Sequence, residues 1–161
     1  MGCLQMFEFA GFRCGGGNDK LTLEARYKAV TSVALYLGQA LKLSAGKLCA
    51  CTGIADSIYA ISDVSVAAAD VSAGFIPKVY PVNSKQIWKS SCTTAMSAAM
   101  CSVGTGCILS TTIATAFVGD KLGTNVFIYD FNTGDTPVSG GAPSSCIWGI
   151  FQNLHVTGYS V

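Results

Sequence analysis

From Lys20 to Ala29 apolar and polar residues alternate. Leu21, Leu23, Ala25, Tyr27 and Ala29 share one parity, while Thr22, Glu24, Arg26 and Lys28 share the other. A pleated strand with one buried face has this period of two, whereas a helical stripe through Leu23, Tyr27 and Val30 leaves Leu21 and Ala29 unexplained. The pattern predicts a half-buried strand. Residues 39–43 and 47–51 flank Ser44, Ala45 and Gly46, a short connection whose glycine can take positive φ, and together they read as a β-hairpin. Residues 58–61 predict another short strand. After an Ala-rich loop over 67–74 that contains Asp70, residues 75–82 predict the next. Pro77 and Pro81 place that strand at a sheet edge, because proline has no N–H to give to a ladder. Edges of this kind accept, or are built to refuse, a strand from a neighbour.

Continued along the chain, the same signals predict strands over 20–29, 33–43, 47–52, 57–62, 75–82, 104–110, 125–131 and 146–156, with 86–89 extending a sheet. Residues 94–101 read as a short helix or another strand, residues 120–123 and 130–135 as turns, and 139–145 as a loop with Gly and Pro. Residues 1–19 read as an arm with Phe7, Phe9 and Phe12 as anchors and Gly15, Gly16 and Gly17 as a hinge. Such an arm either folds back on its own core or reaches a neighbour. The expected fold is all-β: a compact β-barrel or β-sandwich formed by residues 20–161 as a single domain, with an extended N-terminal arm.

Composition adds a hint of assembly. The chain has 161 residues, enough for one real core, yet only 12% are charged, about half the usual share for a soluble domain. Surfaces covered by neighbours do not need charge. A net charge of +1 without a run of Lys or Arg offers no nucleic-acid footprint and no polybasic membrane patch. Residues 90–119 carry no charge, but their many Ser, Thr and Gly residues suit a sheet better than a membrane span. Residues 1–13 lack a basic start with an unbroken apolar core, and Met6 stands where a myristoylation signal needs Ser or Thr.

Without a secretory signal, the eight cysteines read first as reduced, structural thiols, with occasional disulfides and metal as the alternatives. Cys49 and Cys51 are too close for a usual zinc knuckle, Cys101 and Cys107 too far apart, and the only histidine is His155. That histidine is also the only conventional base, and no carboxylate partner for it can be identified. Gly104 and Gly106 lack the third glycine and the acidic residue of a dinucleotide site. Residues 130–135 lack the frame of a calcium loop. No catalytic set, cofactor or metal is expected.

One resemblance stands out. The run from Gly38 to Gly53 (GQALKLSAGKLCACTG), then residues 58–62 (IYAIS), 67–70 (AAAD) and 75–82 (FIPKVYPV), resembles tailed-phage capsid decoration proteins, also called head cement proteins. It covers roughly residues 35–85 and is one of strand pattern; the second half from Trp88 and the eight cysteines depart from the small members. The resemblance implies a compact β-barrel or β-sandwich without catalysis. It further implies a homotrimer, assembled in the host cytoplasm, that sits on the outside of an icosahedral head and clamps major capsid protein subunits, touching neither nucleic acid nor membrane. Candidate contacts are Phe7, Phe9 and Phe12 of the arm, Phe75, Pro77, Tyr80 and Pro81 of the edge, and Trp88 and Trp148. The alternative is a phage surface or tail-associated adhesion module binding a glycan or host partner, for which Tyr80, Trp88 and Trp148 on one exposed face would be the cue.

Overall fold

The computed structural model describes residues 7–13, 20–51, 56–91, 106–109, 117–122, 126–131, 146–152 and 154–155. In chain order the strands are β1 (Glu8–Phe12), β2 (Ala40–Ser44), β3 (Lys47–Ala50), β4 (Ala60–Ser62), β5 (Val79–Pro81), β6 (Gln86–Ser91), β7 (Gly106–Leu109), β8 (Phe117–Leu122), β9 (Val126–Phe131) and β10 (Cys146–Phe151). They form two sheets whose ladders are all antiparallel. One is four-stranded in the order β3-β2-β4-β5, the other six-stranded in the order β1-β6-β10-β9-β7-β8. The fold is all-β, and the ladders of the described residues close no barrel.

The four-stranded sheet is buried on both faces, and the pleat divides its residues between two cores. Ala40, Ile61 and Tyr80 join Phe7, Trp88, Leu109, Val126 and Phe151 in the core shared with the six-stranded sheet. Their neighbours Leu41, Ala60 and Val79, one residue along each strand, join Leu35, Leu48, Tyr59 and Val71 in a second core on the opposite face. This is why 58–61 reads as an unbroken apolar run: neither parity faces water. The hairpin forms as expected but tighter. Ser44 pairs with Lys47, leaving a two-residue loop in which Ala45 (φ 49°) and Gly46 (φ 74°) both have positive φ, as a type I′ turn requires.

Residues 20–29 do not form the predicted strand. They touch the sheet through single bridges, Glu24 to Val79 and Ala29 to Leu48, at its two outer strands β5 and β3. Residues 21, 24, 27 and 30 are half-buried while Leu23 and Ala25 are exposed. With Ala29 buried as well, the burial departs from the two-residue repeat of a pleat at Leu23, Glu24 and Ala25. Glu24 turns inward because the buried Tyr59 hydroxyl donates to its carboxylate at 2.5 Å. Over 33–43 only Ala40 onward is strand, and Leu35 makes a lone bridge to Val66. Over 75–82 only Val79–Pro81 pair; β5 is an edge of its sheet, as Pro81 favours, and the Glu24 backbone covers it at Val79.

Glu8–Phe12, within the stretch read as an arm that either folds back or reaches a neighbour, is a strand paired with β6, and Phe7 beside it is buried, so this part folds back on its own core. An extra residue at Ala10 shifts the register between Phe9 and Gly11, which brings Phe9 and Phe12 to the same face with ring centroids 5.0 Å apart. Asp120 and Lys121, read as part of a turn, lie within β8, an outermost strand. The glycine hinge at 15–17, the segment 94–101, the calcium-like residues 132–135 and the loop 139–145 lie outside the described residues.

Candidate functional site

The cross-strand pairs of β1 and β6 build the site. Phe9 stands opposite Trp88 on the inner face, and Glu8 opposite Lys89 on the outer face, where their charges meet at 2.9 Å. Between this inner face and the end of the four-stranded sheet opens a cleft of about 260 Å³, with Phe7, Phe9, Trp88, Tyr80, Ile61 and Asp63 among its lining. The Phe9 and Trp88 rings meet edge to face, 5.6 Å apart at 70°, as two walls nearly at right angles.

The donors in the cleft are engaged within the chain. Trp88 Nε1 donates to Gln86 Oε1 at 3.2 Å, and Ser62 Oγ donates to the Val64 carbonyl at 2.9 Å. Burial, and then the negative charge of the nearby Asp63 carboxylate, hold the Tyr80 hydroxyl above its ordinary pKa. Gln86 is itself buried and makes three side-chain hydrogen bonds: besides Trp88 it accepts from the Asn83 backbone N–H at 3.1 Å and donates Nε2 to the Pro81 carbonyl at 3.1 Å. Neither Gln86 nor Asp63 was singled out from sequence. Gln86 had a readable signal, since it stands two residues before Trp88 and therefore on the same strand face; Asp63, just past β4, had none.

The candidate contact residues divide. Phe7, Pro77 and Trp88 are buried within the chain, so they serve its core. Phe9, Phe12, Phe75, Tyr80 and Pro81 are half-buried, with Phe9, Tyr80 and Trp88 meeting at the cleft. Trp148 pairs with Lys89 and so stands on the outer face of the six-stranded sheet, opposite to Trp88; its indole Nε1 is buried and has no partner among the described residues. Among the described residues the large exposed apolar side chains are Leu23, which the alternation assigned to a buried face, and Val33, Tyr36, Leu37 and Ile76, none of them a candidate contact from the sequence. Leu23, Val33 and Ile76 belong to two segments that run antiparallel over the second core, with backbone hydrogen bonds from Glu24 to Val79, Ala29 to Phe75 and Ser32 to Val71.

The chemistry-bearing residues fall elsewhere. Cys49 and Cys51 are free thiols on one face of β3 and its continuation, and burial pushes Cys51 up to about 12. Burial also raises Cys49, partly offset by Lys42, whose ammonium is tied to Asp56 at 2.7 Å. Both thiols are therefore protonated near neutral pH. His155 packs edge-on to the Tyr59 ring at 6.2 Å, and its backbone N–H donates to the Ile58 carbonyl. Among the described residues no group of three or more His, Cys, Asp or Glu side chains is placed to hold a metal, and no helix is long and apolar enough to cross a membrane. No protein-family model, curated protein or solved structure matches the chain.

Proposed function

We propose that the protein acts by binding, as a non-enzymatic decoration protein that seats on the outside of a tailed-phage head and holds neighbouring capsid subunits together. The observation that carries the reading is the apolar set Leu23, Val33, Tyr36, Leu37 and Ile76, left exposed on a chain with only 12% charge. It lies within the same half of the chain as the residues that carry the resemblance, and those residues build all four strands of one sheet and its second core.

Magnitudes favour a multivalent seat. Each of the five side chains already hides about half its surface, so covering the remainder is worth about 1 kcal/mol apiece, or about 5 kcal/mol together. That is comparable with the lower range of what association costs in lost rigid-body freedom, about 4–15 kcal/mol, so a single copy holds weakly. Copies joined as a homotrimer, or seated side by side on a repeating shell, gain the remainder through avidity. The adhesion reading asks for Tyr80, Trp88 and Trp148 on one exposed face; Trp88 is buried and Trp148 is on the other side of its sheet, which puts decoration first. Density-gradient purification of particles from the source lysate tests the proposal. The protein should sediment with the head at a fixed ratio to the major shell protein, and its recovery only with tails or only as free protein would overturn the reading.

A further inference from the structure

We draw no further inference here: the strongest candidate, the Trp148 indole N–H on the outer face of the six-stranded sheet, buried and without a partner among the described residues beside the Glu8–Lys89 ion pair, carries nothing because nothing in the structure shows what covers that face.

Discussion

Replacing Gln86 by Met keeps the volume and the strand while removing every hydrogen bond its carboxamide makes. Trp88 Nε1, 3.2 Å from Gln86 Oε1, then loses its acceptor inside a core where Trp88 is 2% exposed. A buried donor left without a partner costs about 1–3 kcal/mol. The Asn83 N–H and the Pro81 carbonyl lose partners as well, but Asn83 is exposed and Pro81 half-exposed, so water replaces much of what they lose, and about 0.5–1 kcal/mol each is reasonable. Against this, methionine is the more apolar side chain and returns about 1 kcal/mol. The net expectation is a loss of about 1–4 kcal/mol, read as a lower urea midpoint with an unchanged slope. In a Trp88→Phe background the orphaned N–H no longer exists, and the same Gln86→Met change should become milder by about 1–3 kcal/mol. Both transitions can be followed by circular dichroism, which does not depend on the altered indole. A Gln86→Met chain within 0.5 kcal/mol of the parent, or a double mutant that is strictly additive, would refute the role assigned to this residue.

Other outcomes follow from single residues. Ala45 holds φ 49° in an exposed type I′ turn, so Ala45→Asn, giving Asn-Gly, should raise stability by about 0.5–1 kcal/mol in urea unfolding, whereas Gly46→Ala should lower it. Trp148→Phe removes a buried N–H that has no partner among the described residues, so it should be neutral or stabilise by up to about 1 kcal/mol, unlike Trp88→Phe, which breaks a satisfied bond. Burial raises Cys51 from 9.0 to about 12, so the folded chain keeps a proton that the unfolded chain releases. The contribution is complete below about pH 9 and is lost as pH climbs towards 12, with roughly 1 kcal/mol already gone at pH 10. Urea midpoints at pH 7 and pH 10 should therefore differ less in Cys51→Ala than in the parent, and equal differences would contradict the assignment.

The strand content of the fold was legible wherever local chemistry and tertiary demand agreed. The β2–β3 hairpin shows this: Gly46 supplies positive φ, and the alternation of Leu41 and Leu43 with Ala40 and Lys42 matches the faces they occupy. Residues 20–29 carried an equally clean alternation and misled, because nothing local says that the segment meets the sheet only at single bridges or that Tyr59, 35 residues away, draws Glu24 inward. The edge role of β5 could be read from Pro81; the pairing of β1 with β6 could not, since it joins residues about 80 positions apart. The same division runs through the site. Aromatic residues could be picked out by type, but whether Trp88 faces the core or a partner depends on the register of β1, β6 and β10. The exposed apolar set escaped notice because Leu23 and Val33 look in sequence like any other core residue.

The central claim is seating on a repeating shell, and decoration of empty expanded heads tests it most directly. Expanded phage heads lacking the protein are mixed with increasing amounts of the purified chain, and bound copies and rupture temperature are measured together. The account predicts saturation at a fixed number of copies per capsid subunit and a rupture temperature that rises with occupancy. It also predicts that a Leu23→Ser, Val33→Ser, Ile76→Ser chain, still folded, fails to saturate the shell. Heads that take up no protein at saturating concentration, or that take it up without any rise in rupture temperature, would contradict it.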